Sequence, residues 1–171
     1  MRSTFSIWTE WNFRKPLSPT EIELVERIAG ESFEFVFQRL LADSKIAQDE
    51  VAQARIEFRK FVFLVGSTGI PLAMISPVVD EVWHQFILFT KKYAEFCNRT
   101  VGYFIDHLPD TDFTPVPVIA GENFRRQYTR YFGDLPAIWL KRMDEATRAY
   151  YLADDLIGKP PTAWSGWTSR D

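Results

Sequence analysis

The sequence holds one cysteine, Cys97, and only two histidines, His84 and His107, among 171 residues. A lone cysteine excludes an internal disulfide and fits a reducing compartment. Any chemistry that needs imidazole or thiolate must therefore come from the stretch Ser76 to Pro109, which carries all three. There is no Gly-rich phosphate loop, no G-x-S-x-G and no H-E-x-x-H, so the usual motifs of phosphate, serine-hydrolase and zinc-protease sites are missing. The first residues, MRSTFSIWTEWNFRK, lack the apolar run of a secretory signal. No stretch approaches the roughly 18 apolar residues of a membrane span. Nor is positive charge in excess: 20 Lys and Arg against 23 Asp and Glu give a net charge of -3, which argues against a nucleic-acid binder driven by phosphate neutralisation. Repeats, low-complexity segments and domain linkers are absent. These absences lead us to expect a soluble cytoplasmic protein with no membrane span.

Aromatic residues, in contrast, are plentiful. They make up 16% of the chain, with 15 phenylalanines and 6 tryptophans, in a sequence that is 46% hydrophobic and 25% charged. The length supports one domain with a real core. The aromatic load suggests a core stacked from rings, with some rings left over for a partner.

Periodicity predicts an all-α, single-domain bundle of five to six helices. Residues 1–17 read as an irregular aromatic arm, 18–156 as the helical domain and 157–171 as an extended tail. Ser18-Pro19-Thr20-Glu21 combines a capping serine, a first-turn proline and a glutamate three residues on. Ile22, Val25, Ile28 and Ala29 follow at helical spacing, and Gly30 can end that helix. In residues 31–42 Phe33, Phe35 and Phe37 alternate like a strand. Helix is preferred because no second strand-like run is near. A helix from Ile46 to about Val65 is apolar nearly all round in its second half, as expected of a central buried element. One helix is predicted from Pro77 to about Thr100. After a proline-bearing loop, two more are expected over about 122–132 and 136–156.

On the helical wheel of the 77–100 segment, Val79, Val82, Trp83, Phe86, Ile87, Tyr93 and Cys97 share an apolar face. Asp80, Glu81, His84 and Gln85 lie opposite, with Lys91, Lys92 and Glu95. Asp80 precedes His84 by four residues, so its carboxylate can hold one imidazole nitrogen and fix the tautomer. The plain readings are an exposed Asp–His pair or a histidine covered by a neighbouring helix. The functional ones are a metal ligand or a general base. His84 and Cys97 are separated by roughly 20 Å along a straight helix, too far for one ion unless the helix breaks. Asp80 and His84, with His107 folding back from the loop, form an adequate ligand set for zinc or another divalent metal. Cys97 with His107 is a further pair. No cofactor is assigned on this basis, and Cys97 on the apolar face reads as a buried, inert thiol.

Asp80-Glu81-Val82-Trp83-His84, then Tyr93, Cys97, Gly102 and His107-Leu108-Pro109, resemble the core signature of the glycine-rich domain-containing protein-like family, found in plants and bacteria. Ile56-Glu57-Phe58-Arg59-Lys60-Phe61 resembles the helix before that signature. Tyr131-Phe132-Gly133-Asp134-Leu135-Pro136-Ala137-Ile138-Trp139 resembles the segment that follows it in bacterial members. The likeness spans about Leu17 to Trp139 and implies a bacterial-type member. It departs at Phe86, where the family commonly has a second histidine, and in the lack of a Gly-rich tail. If the family's histidine pair binds metal, this chain lacks one of its ligands.

Two other surfaces carry signals. Phe124-Arg125-Arg126-Gln127-Tyr128-Thr129-Arg130-Tyr131 mixes bases and rings, as in single-strand nucleic-acid binders. The preferred reading is an amphipathic helix with Phe124, Tyr128 and Tyr131 inward and the arginines in water. Trp164 and Trp167 in the tail can anchor a partner or pack on the domain. The sequence reading therefore ranks a non-enzymatic protein-interaction or adaptor module first, with an unidentified protein partner. A metal-dependent protein or enzyme centred on Asp80, His84 and His107, with Trp83 or Tyr93 at the pocket wall, comes second. A nucleic-acid binder through Arg125, Arg126 and Arg130 comes third.

Overall fold

Ser18 starts the first helix by the chemistry its neighbours predict. Its hydroxyl accepts the Glu21 amide, and the Glu21 carboxylate accepts the Ser18 amide at 2.6 Å. The computed structural model describes residues 10–108 and 117–153. Among them are α1 (Pro19–Ala29), α2 (Glu34–Ala42), α3 (Val51–Thr68), α4 (Pro77–Ile87), α5 (Thr90–Thr100), α6 (Val118–Phe132), a 3-10 turn (Ala137–Trp139) and α7 (Glu145–Leu152). No strand occurs among the described residues, so the all-α expectation holds and residues 34–42 are helical.

α3 is the central helix. Phe58, Phe61, Val62, Phe63 and Leu64 are buried, and α1, α4 and α6 pack around it. It begins at Val51 rather than Ile46, because residues 44–50 form turns that Glu50 organises by accepting the Ala47 amide at 2.9 Å. Its apolar face is also interrupted. Glu57 is fully buried and Lys60 nearly so, 3.1 Å apart. Gly66 lies where α1 and the end of α5 press on α3. A Cβ there would meet a Val101 methyl at 2.8 Å and Leu24 at 3.0 Å.

The aromatic load is spent on this core. Phe33, Phe58, Phe86 and Phe96 meet edge to face at 5.1–6.2 Å. Phe124, Tyr128 and Trp139 form a second ring cluster. Trp11 and Phe13 pack on Phe63 and Phe132, and the Arg14 amide donates to the Tyr131 carbonyl at 2.8 Å. The described end of the N-terminal arm is thereby fastened to the domain.

Three further sequence expectations are corrected. The single helix over 77–100 is two: α4 ends at Ile87, and Phe89, with ψ 55, starts α5 without a side-chain cap. No glycine or proline marks this break. The Phe89 ring packs on Phe35 at 4.9 Å and Phe86 packs on both Phe33 and Phe35, so tertiary ring contacts favour the bend. The predicted 136–156 helix is a 3-10 turn and a separate α7, because Arg142 takes a left-handed φ of 66° and Asp144 caps a new start by accepting the Thr147 amide. Finally, Arg125 and Arg126 are buried rather than in water. Trp164 and Trp167 lie outside the described residues, as do residues 1–9, 109–116 and the rest of the tail.

Candidate metal centre

α4 is set in place by Ser76, which is wholly buried. Its hydroxyl accepts the Val79 amide and donates to the Ile138 carbonyl at 2.8 Å. This aims Val78, Val79, Val82 and Phe86 at the core and leaves Asp80 and His84 on the outer side, one turn apart. Asp80 Oδ2 lies 3.4 Å from His84 Nε2.

His107 reaches the same carboxylate from the far side of the α4–α5 break. Gly102 follows α5 with φ 87°, and its amide bonds back to the Cys97 carbonyl at 3.0 Å. This left-handed turn, which favours glycine, reverses the chain so that residues 103–108 run back toward α4. Tyr93 pins the returning segment. Its hydroxyl accepts the Trp83 indole N–H at 2.8 Å and donates to the Ile105 carbonyl at 2.6 Å. On one straight helix Trp83 and Tyr93 would stand about 15 Å apart along the axis; the break brings them into contact. Trp83 then supports the His107 ring at 4.5 Å between centroids, and His107 Nε2 lies 2.9 Å from Asp80 Oδ1.

The result is one cluster. One ligand atom each from Asp80, His84 and His107 lies within 4.8 Å of the other two, and the imidazole centroids are 4.6 Å apart. Ligand atoms around one divalent ion at bond lengths of about 2.1 Å stand about 3 Å apart in octahedral geometry and about 3.4 Å apart in tetrahedral geometry. The two Asp80–imidazole separations, 3.4 Å from Oδ2 to His84 and 2.9 Å from Oδ1 to His107, are of this size but run to different oxygens of the carboxylate, so the three side chains would have to draw together around an ion. Two imidazoles and a carboxylate suit zinc, cobalt, iron(II) or manganese, and three protein ligands leave a coordination position open. The cluster is half wet: the side chains of His84, Asp80 and His107 are 49%, 26% and 12% exposed.

His84 and His107 face a cleft of about 630 Å³. Lys45, Glu81, Gln85 and Asp106 also border it, and Ile87, Leu88, Tyr93 and Phe104 line its apolar part. Lys45 stands 3.9 Å from Glu81. Leu88 and Phe104 are exposed, as are Tyr103 and Leu108 nearby.

The remaining sequence candidates fall into place around this cluster. Cys97 is fully buried and, despite the helix break, does not join the ligand set. Burial pushes its thiol up, which suits an inert side chain rather than a nucleophile or thiolate ligand. Burial and the neighbouring Cys97 push the Tyr93 phenol well above its ordinary range, outweighing the lowering by the Trp83 donor, so Tyr93 acts as a neutral hydrogen-bonding hinge. Phe124, Tyr128 and Tyr131 are inward as predicted. The row Arg125, Arg126, Arg130 is no basic face. Arg125 Nε donates to the Tyr151 carbonyl at 2.8 Å, Arg126 to Asn123 at 2.7 Å, and of the three arginines only Arg130 is exposed.

Sequence reasoning missed the second polar centre. Gln53 and Lys60 donate to one oxygen of Glu57, while Tyr128 and Trp139 donate to the other, at 2.6–3.1 Å. The spacing of Glu57 and Lys60, three residues apart on one helix, was the available signal. Lys45 and Phe104, which line the cleft, had no signal in the sequence.

No helix among the described residues is long and apolar enough to cross a membrane. The sequence pattern of the UCP032817-like family matches residues 28–132, which contain all three members of the cluster and most of the core. No curated protein and no solved structure matches the chain.

Proposed function

The chain belongs to the UCP032817-like family, and we propose that it is a metal-dependent protein whose divalent ion is held by Asp80, His84 and His107. The observation that carries this reading is that one ligand atom each from Asp80, His84 and His107 lies within 4.8 Å of the others, with both imidazoles bordering an open cleft. The fixed Trp83–Tyr93–Ile105 chain supports it, because it holds His107 against Asp80. Kinship with the glycine-rich domain-containing protein-like family remains a proposal, resting on the Asp80, Trp83, His84 and His107 signature. In that comparison His107 from the returning segment supplies the second imidazole, and Phe86, buried in the core, has no part in the site.

The test is direct. Metal-stripped protein is titrated calorimetrically with zinc and cobalt. One equivalent binding to the wild type, with affinity lost in both His84→Ala and His107→Ala while the circular dichroism is unchanged, supports the reading. Equal binding by wild type and both variants, or none by any, sinks it.

The interaction-module reading comes second. It is favoured by the exposed Leu88, Tyr103, Phe104 and Leu108. Its aromatic argument is weakened because most of the described rings are packed in the core. Nucleic-acid binding loses its basis with the burial of Arg125 and Arg126.

A further inference from the structure

We infer that the cleft beside the metal cluster takes a small organic acid, its carboxylate on the ion and its apolar body against Leu88 and Phe104; this rests on the metal reading above. Three observations lead there. First, three protein ligands would leave an ion at least one exchangeable position, and both imidazoles that would hold it border the cleft. An oxygen donor is the natural ligand for an ion held by nitrogen and oxygen.

Second, the lining mixes charged and apolar side chains. Lys45 borders the cleft together with the acids Glu81 and Asp106, so it is the cation there that an incoming carboxylate can meet. Its ion pair with Glu81 is long, 3.9 Å, and its side chain is 56% exposed, so the ammonium can turn to an incoming anion. Third, two apolar side chains of the lining are strongly exposed. Leu88 is 73% and Phe104 54% accessible, although Phe104 is held edge-on by Tyr93 at 5.2 Å. Leu88 belongs to the α4–α5 break and Phe104 to the segment that Gly102 turns back. The two features that bring His107 to the cluster thus also build the apolar wall beside it. At about 630 Å³ the space suits a molecule of small-ligand size rather than a bare ion.

The experiment uses cobalt(II) in place of the resident ion, because its visible absorption reports on coordination. Acetate and 3-phenylpropionate are titrated into the cobalt-loaded full chain. Both acids should change the spectrum, 3-phenylpropionate at a concentration about tenfold or more below that of acetate, since it buries apolar area that acetate lacks. Leu88→Ser and Phe104→Ser, both exposed positions, should each bring the ratio of the two half-saturating concentrations down toward unity. Lys45→Gln should weaken both acids alike and leave cobalt binding unchanged. A cobalt spectrum that neither acid alters, or that both alter equally in wild type, overturns the inference and leaves the metal reading standing. Failure to acquire any cobalt spectrum takes both down.

Discussion

Two carboxylates in this molecule each gather several polar partners, and they do so in opposite ways. Glu57 lies at the centre of the core with no exposed surface, and both its oxygens are saturated by Gln53, Lys60, Tyr128 and Trp139. Asp80 lies near the surface, behind the cleft, and holds two imidazoles that border it, one of them half in water. The Glu57 donors come from α3, α6 and the 3-10 turn and point at one another, so the network closes on itself. The Asp80 partners come from α4 and from the segment that Gly102 turns back, and both imidazoles border the cleft. A closed network pins elements together. A carboxylate with two imidazoles beside a cleft instead offers donor atoms of metal-binding chemistry where a ligand can reach them.

The largest effect that breaks this comparison comes from Glu57→Ala. Lys60 is left buried without its anion, and the variant should lose about 3–5 kcal/mol of stability, read from denaturant midpoints. A loss below about 1 kcal/mol would mean that the network does not hold the core. Next is His84→Ala, which should weaken zinc affinity about 100-fold or more without changing the fold, measured by competition with a chromophoric chelator. Tyr93→Phe should cost about 1–3 kcal/mol, because it leaves the buried Trp83 N–H and the Ile105 carbonyl without their partner. It should also weaken metal binding by releasing His107, whereas Glu57→Gln should not.

A smaller effect separates a third acid from these two. Burial alone would raise the Glu21 carboxyl, but hydrogen bonds from Tyr131, the Ser18 amide and hydroxyl, and Lys15 outweigh it and hold the group at about 2, below its ordinary 4.5. Because the folded value is depressed, its contribution to stability is fully present above about pH 4.5 and fades as the pH falls toward 2. Glu21→Gln should flatten that part of the acid-unfolding curve; an unchanged curve would count against the cap as its source. The smallest effect is the stability of metal-free His84→Ala, expected within about 0.5 kcal/mol of wild type, as for an exposed pair.

The parts legible in the sequence are those set by neighbours a few residues apart. The Ser18–Glu21 cap, the Ser76–Pro77 start and the Asp80–His84 pair all follow from local spacing. That His107 folds back to Asp80 was one of several open arrangements, and the decision rests on Gly102 and Tyr93, which act through the tertiary structure. The break at Leu88–Phe89 left no mark, because no breaker residue makes it; rings from α2 do. The apolar pattern of α3 hid Glu57, whose partners Tyr128 and Trp139 lie 71 and 82 residues away. Arg125 and Arg126 read as solvated because charge alone does not reveal a covering neighbour such as Tyr151.

The contact between Trp83 and His107, 4.5 Å between ring centres, has a spectroscopic consequence. An imidazole that close to an indole sits in its ring-current field, whereas His84 is half exposed and meets only the weaker field of the His107 ring at 4.6 Å. The chain contains no other histidine. A one-dimensional proton spectrum of the unlabelled protein therefore carries two imidazole Cε1–H resonances, one displaced and one near its ordinary position. Both belong to the cluster, so each ion or acid that enters the cleft is reported without a label.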